Sequence, residues 1–222
     1  MIGHVANVFA YKDITINNFL EVREKEWPEW VITSLKYSDL KKDLVYPSWF
    51  EGTWLVKSEN FSNSSEEPLY YQVNFYRNES NQIIGRRAAN SESIGKALFG
   101  DRLLKVKNDP ESFNNQIVYL RNDEYIDSRI IGRTQIEDEN LFFSDELAIQ
   151  TVYKSGISRI NQVEVMSKFY KCDEIDNESS NLPAKKICGS QYLATYGSKL
   201  GELNLKAVTS NKYALSFTFI GY

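Results

Sequence analysis

Arg86 and Arg87 are the residues whose type and position most directly suggest chemistry. They lie in Gly85-Arg86-Arg87-Ala88-Ala89-Asn90, where a strand-like run meets a helix-like one. Side chains alternate along a strand, so one of the two arginines is expected to point inward. An isolated buried charge is costly, so an inward guanidinium must be paired or must hold an anion. The plainer reading is an ion pair with a barrel carboxylate or bonds to loop carbonyls. The sharper one is capture of a ligand carboxylate or phosphate. Asn90 beside the pair, and Trp54, Tyr71, Phe75 and Phe217 from aromatic-rich strands, complete the set expected to meet a ligand. Trp54 closes the run Pro47-Ser48-Trp49-Phe50-Glu51-Gly52-Thr53-Trp54. There Gly52 allows tight backbone passage into a first strand, and the Trp54 indole, expected as a core plug, needs a hydrogen-bond partner.

Other chemistry is thin. His4 is the one histidine, so neither a histidine-based triad nor a multi-histidine metal site is expected. Gly95 and Gly100 are wrongly spaced for a phosphate loop or a dinucleotide fingerprint. The acidic runs Glu137-Asp138-Glu139 and Asp145-Glu146 read as solvated turns, and they lack the spacing of a calcium loop. No catalytic residue, metal or cofactor is assigned. Cys172 and Cys188 bracket a polar segment that reads as a hairpin loop. They are a possible disulfide, able to contribute roughly 3 kcal/mol in an oxidising compartment; the alternative is two separate buried thiols.

These residues need elements to position them. The chain has 222 residues, with 26 Lys and Arg against 30 Asp and Glu. A net charge of −4 without a clustered basic face argues against nucleic acid as a partner. No stretch approaches the roughly 20 apolar residues of a membrane-spanning helix, and residues 1–12 make a poor signal peptide. As given, the chain reads as cytoplasmic.

Residues 1–45 read as an irregular, Trp- and Pro-rich arm lying over a larger body, with a short helix after Asn17-Asn18 that stops before Pro28. Residues 46–222 read as one β domain. Period-two alternation is clear at Tyr71, Val73 and Phe75; at Leu147, Ile149, Thr151 and Tyr153; at Val163, Val165, Ser167 and Phe169; and at Tyr213, Leu215, Phe217 and Phe219. Further strands are expected over 83–88, 103–107, 116–121 and 125–134. One helix of about two turns is expected from an N-cap at Ser91 to Gly100. Nine or ten strands at hairpin spacing predict an all-β, antiparallel up-and-down barrel, with a two-sheet sandwich as runner-up.

Gly52-Thr53-Trp54 resembles the G-x-W motif of lipocalins and related calycins, in which the Trp packs across the closed end of the barrel. The last strand departs from that pattern, offering Lys212 where lipocalins often supply an Arg. Glu26-Trp27-Pro28-Glu29-Trp30, the run Asp43 to Trp54, and Arg87-Ala88-Ala89-Asn90 with the helix to Gly100-Asp101 are similar to a lipocalin-like family of cyanobacteria and plastids, the domain of unknown function numbered 6816. The resemblance implies a lipocalin-like barrel in a photosynthetic organism and carries no activity. The function expected from it is non-enzymatic binding of a small apolar or amphipathic ligand such as a pigment, lipid or quinone. The alternatives are an accessory or assembly factor for a photosynthetic membrane complex and, third, bilin-lyase-like chromophore handling. The resemblance adds thylakoid association to the expected locations, in the lumen if a targeting segment has been removed.

Overall fold

The computed structural model describes residues 16–32, 40, 42–172, 186–199, 202–203 and 206–222. His4 and residues 173–185 between the two cysteines lie outside them. The strands are β1 (Gly52–Asn60), β2 (Leu69–Arg77), β3 (Ile83–Gly85), β4 (Leu103–Asn108), β5 (Asn115–Leu120), β6 (Tyr125–Glu137), β7 (Leu141–Lys154), β8 (Ile157–Lys171), β9 (Lys186–Lys199), β10 (Glu202–Leu203) and β11 (Thr209–Gly221). Their hydrogen-bonded order is β3-β2-β1-β11-β9-β8-β7-β6-β5-β4, with the short β10 beside β9. Every pairing is antiparallel. The fold is thus all-β, up-and-down and barrel-like.

The last strand returns to the first, Trp54 standing opposite Phe219 and Val56 opposite Phe217. The ladder is not continued between β3 and β4. Helix α2 (Arg87–Phe99) occupies that seam, packed against β2 on one side and β4 on the other. A second helix, α1 (Ile16–Glu26), belongs to the N-terminal segment, and its end before Pro28 matches the expected stop.

Aromatic rings show how tightly the sheet curls. Phe50, in a single helical turn over Ser48–Phe50, touches Phe75 of β2, Phe142 of β7, Phe169 of β8 and Phe217 of β11. Tyr46 bridges Phe75 and Phe142 in the same way. Strands far apart in the order meet one ring only when the sheet wraps around it. This inner face is filled by Leu44, Phe50, Trp54, Val56, Val73, Phe75, Phe142, Phe169, Leu215 and Phe217. Interdigitated rings at this density leave side chains rather than space in the middle of the barrel. On the outer face, Phe143, Met166, Tyr192, Ala194 and Tyr196 pack beneath Leu20 and Trp30. The N-terminal segment therefore serves both faces, α1 and Trp30 outside and residues 44–50 inside.

Two local expectations are corrected. Helix α2 begins at Arg87 with Arg86 at its N-cap, so Ser91 lies inside the helix. β3 ends at Gly85, and the strong helix formers Ala88 and Ala89 belong to the first turn of α2 rather than to a strand. Leu98 is exposed; the buried position of α2 is Gly95, where an added Cβ would lie 3.1 Å from Leu103. The second correction concerns Asp145-Glu146. β7 starts at Leu141, so the doublet is in mid-strand and not in a turn. The other acidic run, at Glu137 to Glu139, is the exposed turn between β6 and β7.

Gly52 shows why the entry to β1 has no side chain. Its φ is +126°, and a Cβ there would come within 2.4 Å of the Phe219 ring. The adjacent Trp54 is buried and donates its indole N–H to the Phe50 carbonyl at 2.7 Å. Phe50→Ala is expected to cost about 3–4 kcal/mol in urea unfolding, since its fully buried ring touches rings of four strands.

Cys172 and Cys188 form a disulfide with a Cα–Cα separation of 5.7 Å. It staples β8 to β9 where Tyr170 faces Cys188 and Lys171 faces Ile187. The bridge closes a span of 16 residues, so Cys172→Ser with Cys188→Ser is expected to lower stability by about 3 kcal/mol in the same assay.

Candidate functional site

An open groove of about 810 Å³ runs beside the seam, between the end of β3, the first turn of α2 and the segment around Asp43. Its construction begins with the shortness of β3. Three residues cannot pair the whole of β2, so backbone groups at Gln72 and Asn74 are left without a strand. Side chains of α2 supply what is missing. Asn90 accepts from the Asn74 N–H at 2.8 Å and donates to the Asn74 carbonyl at 3.0 Å. Ser93 Oγ accepts from the Gln72 N–H at 3.0 Å. The Asn74 side chain in turn bonds Thr53 Oγ1 at 2.8 Å. Asn90 is thus a positioning residue that holds α2 against the sheet.

Asp43 and Arg87, which line the groove, belong to a network of two cations and two anions completed by Arg133 and Glu146. Arg87 donates from Nε to Asp43 Oδ1 at 2.7 Å, and its Nη2 lies 3.3 Å from Glu146 Oε1. Arg133, opposite Glu146 in the β6–β7 register, donates to Glu146 Oε1 at 2.6 Å, to the Lys42 carbonyl at 2.6 Å and to Asn114 Oδ1 at 3.1 Å. Gln135 exchanges two bonds with the backbone of Val45, at 3.1 and 2.8 Å. Residues 42–45 are therefore pinned across the barrel mouth by polar side chains from β6. Burial disfavours the charge on Arg87, but Glu146 and Asp43 outweigh it and hold its pKa above the ordinary arginine value.

The two arginines part company. Arg87 is committed to carboxylates. Arg86 is exposed; its Nε donates to Asn74 Oδ1 at 2.7 Å and its guanidinium stands 5.1 Å from the Tyr76 ring centroid. Among the described residues, neither Arg86 nor Lys42 forms an ion pair, and both line the groove. Beside them stand Tyr76, Ile84, Val45 and Phe113, with Asn78, Gln82 and Asn108 as polar partners. The wall thus offers cations next to apolar surface.

Of the sequence-predicted residues, Arg86 and Arg87 meet in this groove, and Asn90 lies behind it. Trp54, Phe75 and Phe217 are elsewhere, buried in the inner cluster, with Tyr71 packed against it. Burial raises the Tyr71 phenol to about 12. Sequence reasoning missed Asp43, Glu146 and Arg133. A signal was present for Glu146: an inward arginine demands a carboxylate, and Glu146 sits at an inner-face position once Phe142 is placed inward.

The family described as Domain of unknown function (DUF6816) matches residues 58–220. The chain belongs to that family. Arg86, Arg87, Arg133 and Glu146 all fall within the part matched to DUF6816, whereas Asp43 and the entry residues Gly52 and Trp54 precede it. No curated protein and no solved structure matches the chain. No helix among the described residues is long and apolar enough to cross a membrane.

Replacing Glu146 by Gln would leave Arg87 and Arg133 sharing Asp43 alone. The variant is expected to lose about 2 kcal/mol, the burial of these groups being incomplete. Urea unfolding measures the loss, and amide exchange at residues 42–45 should rise with it.

Proposed function

We propose that this protein is a non-catalytic, lipocalin-like binding protein, and that its ligand is a small amphipathic molecule with an acidic group. The observation that supports this is that Arg86 and Lys42, which form no ion pair among the described residues, stand beside apolar wall in one open groove. Arg86 and Lys42 can neutralise a carboxylate or phosphate, while Tyr76, Ile84 and Phe113 can cover an attached chain or ring. Charge-assisted hydrogen bonds to Arg supply orientation, and apolar contact supplies most of the remaining affinity. The ligand is placed at the barrel mouth because the interior is occupied by Phe50, Phe75, Phe142 and Phe217. Acyl lipids and pigments with acidic side chains, which a photosynthetic host would provide, have this make-up. A role through protein contacts has no comparable support, since the arm's Trp30 is fully buried and Trp27 and Trp49 pack against the two clusters.

Sodium laurate, below its micelle concentration, is a suitable probe. Its addition is expected to shift amide resonances at Lys42, Tyr76, Arg86 and Phe113 in nitrogen–proton spectra. Arg86→Glu should weaken binding about tenfold, the equivalent of one charge-assisted contact. Shifts confined to the outer face, or an affinity indifferent to Arg86→Glu, would overturn the assignment.

A further inference from the structure

We propose that α1 is docked on the barrel by a proton shared between Asp145 and Glu164, and that loss of this proton releases the N-terminal arm. Asp145 and Glu164 are remote from the groove, whose lining includes no residue of β7 or β8.

Asp145 and Glu164 project from neighbouring strands towards α1. Arg23 reaches down to Glu164, donating to its Oε1 at 2.5 Å and to the Val31 carbonyl at 3.1 Å. Tyr196 of β9 donates to the other oxygen of Glu164. Trp30 closes the top, its ring 4.4 Å from the Arg23 guanidinium carbon and its indole N–H bonded to the Arg23 carbonyl at 2.6 Å. The cluster is sealed: Arg23 is 1%, Glu164 2% and Asp145 0% exposed.

The charges do not balance. The groups facing Asp145 are Glu164 from β8, Arg23 from α1 and the neutral Thr134 opposite it on β6, while the neutral Tyr196 of β9 meets Glu164 and Arg23. Glu146, its neighbour along the strand, is committed to Arg87 and Arg133 on the inner face. Glu26 touches Arg23 only from the exposed rim, at 3.7 Å. Glu24 is already held by Lys168 at 2.7 Å and by Tyr192 at 2.8 Å. Two buried carboxylates therefore stand near one guanidinium, which is in contact with Glu164 and not with Asp145. Neither oxygen of Asp145 accepts a hydrogen bond from any donor among the described residues. Glu164 is another carboxylate and can only accept, so a proton held on Asp145 is what can join the two. Burial, then the charge of Glu164, pushes the Asp145 carboxyl well above its usual range, and Arg23 offsets this only in part.

The direction follows from linkage. A carboxyl whose docked value is raised binds its proton more tightly when docked than when open. Docking is then strongest at low pH and weakens as pH rises from the ordinary value near 4 towards the docked value. One proton leaves, so the opening equilibrium should grow about tenfold per pH unit over that interval and level off above it.

The test is hydrogen exchange by mass spectrometry on the whole chain between pH 5 and 9, corrected for intrinsic rates. Exchange in residues 16–32 is expected to rise with pH while β1, β2 and β11 stay protected. In Asp145→Asn, which keeps the shape but cannot ionise, the profile of 16–32 should be flat. Glu164→Gln leaves one carboxylate for one guanidinium and should flatten it too, so the idea remains testable if either variant folds poorly. A flat wild-type profile would sink the proposal, as would one equally steep in either variant or one in which arm and barrel open together.

Discussion

Two adjacent carboxylates on β7 govern how the rest of this chain is assembled. Asp145 and Glu146 point to opposite faces because a strand alternates, and each gathers groups from outside its own strand. Glu146 collects Arg133 and Arg87, and through them the segment 42–45 and the start of α2. Asp145, through Glu164, collects Arg23 and with it α1 and Trp30. The hydrophobic effect would bury the same rings without either network, but it is non-directional. The paired charges specify where each non-strand segment lies on the sheet, since a misplaced segment would leave a charge buried and unpaired.

The strands could be read from the sequence wherever one face is apolar and the other polar. Tyr71, Val73 and Phe75, or Tyr213, Leu215, Phe217 and Phe219, state their inward side by alternation alone. Gly52 and Trp54 were also legible, because a positive φ and a buried indole each demand particular residue types. The start of α2 was not, since Ile83 to Ala88 satisfies a strand pattern as well as a loop and a helical turn. Only the tertiary bonds of Asn90 and Ser93 to β2 separate the two.

The mid-strand place of Asp145-Glu146 is illegible for a different reason. An acidic doublet looks the same whether it is solvated or paired, and its partners are remote. Arg87 lies 59 residues from Glu146, and Arg23 lies 141 residues from Glu164. No local window contains that information. The same holds for the groove, whose cations were visible in sequence but whose apolar wall is gathered from β2, β3 and the β4–β5 turn.

The seam filled by α2 distinguishes this molecule from a barrel closed by strands. A ladder closes through backbone groups that every residue carries, so substitution rarely opens it. Here the join to β2 is made by the side chains of Asn90 and Ser93, which a single codon can remove. Closure at this seam thus depends on the identity of two side chains, as a backbone ladder would not.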